Sequence, residues 1–200
     1  MGIRYLYLVR HGQRATALPD DGPLESGLTP DGVEQAQLTA ARLAHLPITT
    51  VYTSPLRRAA QTADILAKQH PSARRVTLAG LAESTPTLPR DFTADYGELT
   101  AAQFATMRRE ADSAHEVLFS PISGPDRHEL VSSHGNQIRY LLFRALDLPL
   151  DMWRRFDLMN CSVSLVVVEP SHVWAARVGD AGHLPPRLQT YVRERVAHAF

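Results

Sequence analysis

The chain has 200 residues, with 21 basic and 21 acidic side chains and a formal net charge of zero. That length supports one well-filled core and is short for two. The charge balance gives no general attraction to nucleic acid or to an anionic membrane, so any anion recognition must come from a local pocket.

Two residue counts exclude further classes. Lys68, in "LAKQHP", is the only lysine, so the GxxxxGK[ST] loop of nucleotide-binding enzymes is absent. Cys161 is the only cysteine, which rules out an internal disulfide and a multi-cysteine zinc site and suits a reducing compartment. No charged-then-apolar leader precedes the first apolar run, and no stretch approaches the roughly 20 apolar residues of a membrane span. The expectation is a soluble, cytoplasmic protein without a membrane partner.

In chain order, residues 3–9, 48–53, 75–80, 129–133 and 161–169 are short runs, most of them aliphatic and β-branched or aromatic, and predict strands, the majority buried on both faces. Between them lie helical stripes: Val33, Ala36, Ala40 and Leu43, then Leu56, Ala59, Ala63 and Leu66, then Ile138, Leu141, Leu142 and Ala145. Strands alternating with helices imply an α/β fold, a three-layer α/β/α sandwich around a mostly parallel sheet. The chain is expected to form a single domain over residues 1–200, with an insertion at about 84–126 covering one sheet edge. In it a helix starts at Thr100, which forms a capping box with Gln103, and presents Phe104, Met107, Ala111 and Ala114. The stretch "HVWAARVGDAGHLPP" predicts a last edge strand, followed by a short helix from about Pro186. An exposed last strand would offer an edge for an oligomer.

In an open α/β sheet, ligands bind beyond the carboxyl ends of the strands. Four distant segments put reactive side chains there. Arg10, His11 and Gly12 follow the first strand, where Gly12 permits a tight turn and close backbone approach that would leave His11 exposed. In "TSPLRRAAQTA", Ser54 is a natural N-cap and Pro55 a natural first helical residue, so Arg57 and Arg58 fall in an opening turn that favours anions. Periodicity alone does not choose between these arginines. His134 follows the strand in "VSSHGNQIRYLL", and Glu83 in "AGLAES" stands at the threshold of the insertion.

Two histidines, an arginine pair and a carboxylate are the composition of a phosphoryl-transfer site that needs no metal and no cofactor. Guanidiniums donate bidentately to the phosphoryl oxygens and stay charged. A neutral imidazole attacks phosphorus and splits one hard hydrolysis into two easier steps. Glu83 is the candidate proton donor to an alcohol leaving group and then the base for water. Nearby arginines should depress its pKa, whereas a general acid needs it raised, and burial or bound phosphate would have to offset them.

The blocks "LVRHG", "GLTPDGVEQA", "SPLRRAAQTA", "LAES" and "SSHGNQIR" resemble, in order, those of the histidine phosphatase superfamily, whose first branch includes the cofactor-dependent phosphoglycerate mutases. The resemblance implies His11 as the phosphorylated nucleophile, Arg10, Arg58 and His134 as phosphate ligands and Glu83 as proton donor. The family pattern S-x-L-x-R-A selects Arg58. Gly12, Gln13 and Gly135 are grouped with the phosphate ligands, although Gly135 and Asn136 could instead serve to cap the helix. The C-terminal part, "HGNQIRYLLFRALDLPLDMWRRFDLMNCSVS…GDAGHLPP", is most similar to the superfamily's mitochondrial Ser/Thr protein phosphatases. Those carry an N-terminal membrane segment that is not expected here.

The mutases extend the first block to R-H-G-E-S-x-x-N, whereas this chain has Gln13, Arg14 and Ala17 at the glutamate, serine and asparagine positions. That departure favours net hydrolysis of a phosphorylated metabolite or a phosphoprotein over a mutase, and a non-catalytic phospho-ligand binding module ranks last because it could lose His11 or Glu83 freely, whereas the sequence keeps the full set. His45, His70, His115, His128, His172 and His198 are expected to be structural. Cys161 reads as a small buried hydrophobe, since Val167 stands where a cysteine phosphatase would place its arginine. Asp180 and His183 are expected to organise the last turn, with His183 near the pocket rim.

Overall fold

The computed structural model describes residues 1–15, 26–90 and 99–190. Six strands form one sheet: β1 (Arg4–Arg10), β2 (Ile48–Thr53), β3 (Arg74–Thr77), β4 (Arg127–Ser133), β5 (Val163–Val168) and β6 (Val173–Asp180). Their order is β3-β2-β4-β1-β5-β6. The first four of these are mutually parallel, and β5 and β6 add an antiparallel pair beyond β1.

Alternation along β1 sends its side chains into two cores. Leu6 and Leu8 join Val131 and Val166 under α3 (Ala101–Phe119) and α4 (Gly135–Ala145). Tyr7 and Val9 join Val51 and Leu130 under α1 (Pro30–Leu43) and α2 (Arg57–Ala67). Helices on both faces complete the expected α/β/α architecture.

Local signals explain several boundaries. Thr29 caps α1 by accepting from the Gly32 amide at 3.0 Å, with Pro30 at the first helical position. Thr100 and Gln103 form the expected capping box on α3. Three features differ from expectation. The run 75–80 is a strand only to Thr77, and Ala79–Leu81 is a 3-10 turn. Helix α3 packs on the 3-10 turn that follows the edge strand β3 and on α4, burying Ala111, Ala114, Leu118 and Phe119, while the expected Phe104 and Met107 are only partly buried. Helix α2 starts at Arg57, with Leu56 and not Ser54 as its N-cap. Beyond β6 the described chain holds a 3-10 turn, Pro186–Leu188. The rest of the expected C-terminal helix, with His198, lies outside the described residues, as do Ala17 and part of the expected insertion.

Candidate active site

Parallel pairing of β1, β2, β3 and β4 aligns their carboxyl ends at one edge. His11 follows β1, Ser54 follows β2 and His134 follows β4, while Glu83 comes just after the 3-10 turn that succeeds β3. The His11 amide donates to the Ser133 carbonyl at 2.9 Å and the Ser54 amide to Ser132 at 3.0 Å, extending the ladder to the site.

His11 is buried, at 5 % exposure, not exposed as Gly12 suggested. The close approach at Gly12 is toward α1: a Cβ there would come within 2.4 Å of the Gly32 carbonyl oxygen. The Gly12 amide donates to Thr62 Oγ1 at 3.1 Å. His11 Nδ1 lies 2.7 Å from the Gly12 carbonyl, which only an N–H can satisfy, so the lone pair is on Nε2. That nitrogen accepts from Arg58 Nε at 3.3 Å. Burial first, then the Arg10, Arg58 and Arg14 charges, push the His11 pKa down to about 3 against the contribution of the Gly12 carbonyl, so the imidazole is neutral. Asn160 Nδ2 donates to the His11 carbonyl at 2.9 Å and fixes the backbone from the loop before β5.

The His134 ring stands 5.0 Å from that of His11, centroid to centroid. Its Nε2 is 2.8 Å from Ser54 Oγ, which already accepts from the Leu56 amide at 3.1 Å. Ser54 is therefore free to donate its hydroxyl proton to Nε2, leaving the N–H on His134 Nδ1. Nδ1 lies 3.8 Å from Glu83 Oε2, and both atoms are buried without a hydrogen-bond partner among the described residues. Burial, with the nearby charges of His11, Arg58 and Arg10, holds His134 well below the ordinary histidine pKa. For Glu83, burial outweighs Arg10, Arg58, Arg139 and the Asn136 amide, and its pKa is raised.

Arg10 and Arg58 are buried at 7 % and 5 % exposure. Arg10 donates through NH1 to the Leu158 carbonyl and lies against Gly135, where a Cβ would sit 3.5 Å from the guanidinium carbon. Gly135 opens α4, and Asn136 does not cap it, since its Oδ1 accepts from Arg139 NH2 at 2.7 Å. Gln13 is drawn toward α1: its Oε1 accepts from Thr29 Oγ1 at 2.7 Å and its amide donates to Gln35 Oε1 at 2.7 Å. Arg57 is exposed. His183 serves α1 and not the pocket, bonding Thr39 Oγ1 and Arg42 at 2.8 Å each.

The structure thus brings Arg10, His11, Arg58, Glu83, His134 and Gly135 together. Sequence reasoning missed the shell that orients them: the Ser54 contact with His134, Thr62, Gln137, Asn160 and the field of Arg14. Only Ser54 carried a signal, and it read as a helix cap. Among the described residues no cluster of His, Cys, Asp and Glu could hold a metal ion. Chemically, the site presents an imidazole lone pair between guanidiniums, with an N–H and a carboxyl with a raised pKa facing it.

A family model described as the histidine phosphatase superfamily (branch 1) matches residues 6–181. The chain belongs to that superfamily. It is 35 % identical over 189 residues to a Caenorhabditis elegans protein named "Serine/threonine-protein phosphatase Pgam5, mitochondrial", covering 92 % of this chain and 65 % of that protein. To the human "Serine/threonine-protein phosphatase PGAM5, mitochondrial" it is 33 % identical, covering 92 % and 64 %. The chain therefore spans about two thirds of the length of these relatives. Among solved structures, a phosphoglycerate mutase from Plasmodium falciparum matches with a TM-score of 0.63 and 27 % identity, covering 92 % of this chain and 96 % of that one. Both curated relatives are named mitochondrial, which overturns the expectation of a cytoplasmic protein.

Proposed function

We propose that this chain is a phosphomonoesterase that works through a phosphohistidine on His11, without calling on a metal, and that its substrates are phosphoserine or phosphothreonine side chains of proteins. The observation that carries the reading is the neutral His11, whose Nδ1–H is tied to the Gly12 carbonyl while Nε2 faces the Arg58 guanidinium. Nε2 attacks phosphorus, and the N–P bond forms as the ester P–O bond breaks. Arg10, Arg58 and the Nδ1–H of His134 hold the phosphoryl oxygens as charge spreads over them. Glu83 gives its proton to the leaving alcohol oxygen. Water then attacks phosphorus, its proton passes to Glu83, and the N–P bond breaks to return neutral His11 and inorganic phosphate. The raised pKa of Glu83 supports the first of its two duties.

The names of the curated relatives favour a protein substrate. The name of the Plasmodium structure favours a mutase, which would return the phosphoryl group to the substrate. Against a mutase, Gln13 is engaged with Thr29 at the start of α1. The test is p-nitrophenol release from p-nitrophenyl phosphate in EDTA by wild type and His11→Ala, with trapping of acid-labile phosphoprotein. Turnover and trapping in wild type alone are expected, and equal turnover in the variant would overturn the reading. Phosphopeptides are then expected to outrank phosphorylated metabolites in kcat/KM, and net conversion of a phosphoglycerate isomer without phosphate release would establish the mutase instead.

A further inference from the structure

Gln137 is fully buried in the first turn of α4, three residues after His134, the N-cap of that helix. Its amide is used at both ends, on opposite flanks of Glu83. Nε2 donates to the Gly80 carbonyl at 2.6 Å, and Oε1 accepts from Ser84 Oγ at 2.8 Å. One side chain thus fastens the segment before Glu83 and the segment after it to the helix that His134 caps. The Gly80 end is confined from the other side as well, because a Cβ there would come within 2.0 Å of the Glu110 carbonyl on α3. Farther along, Trp153 Nε1 donates to the Thr87 carbonyl at 2.8 Å. These anchors flank Glu83, whose Oε2 stands 3.8 Å from His134 Nδ1.

We propose that Gln137 is a positioning residue for the proton transfer: it sets where Glu83 stands relative to His134, and through that how well the departing alcohol is protonated. The proposal rests on the reading of Glu83 as the acid. Glutamine suits the task because Gly80 needs a donor and Ser84 an acceptor, and a primary amide supplies both. An apolar side chain of the same length would leave the half-buried Gly80 carbonyl and Ser84 hydroxyl without this partner and the acid loop without its tie.

A loss confined to proton transfer is distinguishable from general damage by the leaving group. p-Nitrophenolate departs without help, whereas the alkoxide of p-nitrobenzyl phosphate needs a proton. The parameter kcat/KM reports the steps up to departure of the alcohol. Wild type, Gln137→Leu, Ser84→Ala and Glu83→Gln would be compared on both esters, with thermal melts to verify folding. Gln137→Leu is expected to lose about tenfold more on the benzyl ester than on the phenyl ester, a tenth or less of the 10²–10⁴ that general acids supply, and Glu83→Gln more still. Ser84→Ala removes only one of the two ties and should show the same selectivity at lower amplitude, which keeps the test alive if Gln137→Leu fails to fold. Equal losses on both esters in the Gln137 and Ser84 variants, with Glu83→Gln still selective, would overturn the role of Gln137 alone. Equal losses in Glu83→Gln would overturn the acid reading and the inference with it.

Discussion

At the scale of single residues, the site works by fixing which nitrogen of each histidine carries the proton. The Gly12 carbonyl does this for His11 and the Ser54 hydroxyl for His134. Ser54→Ala would leave the Leu56 amide and His134 Nε2 without their partner and let the His134 ring adopt the other tautomer. With a buried hydrogen bond worth about 1–3 kcal/mol when its partner is orphaned, kcat/KM is expected to fall about tenfold or more. Ser54→Thr should retain most of it, and a change within twofold in the alanine variant would refute the tautomer role. The pH profile follows from the same geometry. Burial and the Arg10 charge lower His11 to about 3, so the nucleophile stays unprotonated far below the 6.5 of an ordinary histidine. Glu83 is shifted the opposite way, and its proton is lost only as pH rises through a value above that of an ordinary carboxyl. We expect kcat/KM, corrected for the second ionisation of the phosphate ester, to show no acid-side fall at the ordinary histidine pKa and to fall on the alkaline side as Glu83 loses its proton. A fall below pH 6.5 in the corrected profile would mean that His11 titrates like a free histidine.

Elements show how far the sequence could be read. Strands β1 and β5 were legible as short apolar runs buried on nearly every residue, β2 and β4 as short β-branched or apolar runs, and α1, α2 and α4 because their apolar stripes have helical spacing. β3 was legible only in part: exposed residues dominate it, and nothing in "RRVTLAGL" marks where extended chain gives way to the 3-10 turn. Buried polar residues were invisible to hydrophobic periodicity. Gln35 lies on the buried face of α1 and donates to the Leu188 carbonyl at 2.7 Å and to Thr190 Oγ1 at 2.8 Å, tying the helix to the C-terminal turn. Gln137 was missed for the same reason, since only the tertiary structure shows that its partners are Gly80 and Ser84. The motif glycines were legible as close approaches but not as to what they approach. Gly12 and Gly32 meet where the loop after β1 crosses the start of α1, and a Cβ on Gly32 would come within 2.1 Å of the Gln13 carbonyl oxygen. Gly32→Ala must therefore displace the loop that carries His11. A cost of about 1–3 kcal/mol is expected from such overpacking, read as a lower denaturant midpoint at unchanged slope, together with a loss of activity. A variant that kept both wild-type stability and activity would show that the loop yields freely.

For the molecule as a whole, burying histidines in neutral form makes stability depend on pH in a direction that can be worked out. The pKa is lowered for His11 to about 3 and for His115 and His183 to about 4, and it is also lowered for His70, His128 and His134, in every case chiefly by burial. An unfolded chain takes up protons at these positions near pH 6.5, while the folded one does so only at lower pH. Between those limits the unfolded state binds more protons, so the free energy of unfolding falls as pH falls. Glu83 acts in the opposite sense, because its raised pKa adds stability that is lost as pH rises, but it is one group against several. Asp180, held down to about 2 chiefly by its hydrogen bond from Arg42, contributes stability that is lost only in a lower window, as pH falls from about 3.8 through 2. We therefore expect the melting temperature at constant ionic strength to decline steadily from pH 7 to pH 5, with net proton uptake on unfolding. His115 offers a test that leaves the site alone, since it lies on α3, stacked on Phe119, with Nε2 buried and unbonded among the described residues. His115→Gln should flatten the slope of stability against pH by the contribution of that one group while sparing the pH profile of kcat/KM. A melting temperature that stayed level or rose between pH 7 and pH 5, or a slope unaffected by His115→Gln, would show that these imidazoles are not held neutral by the fold.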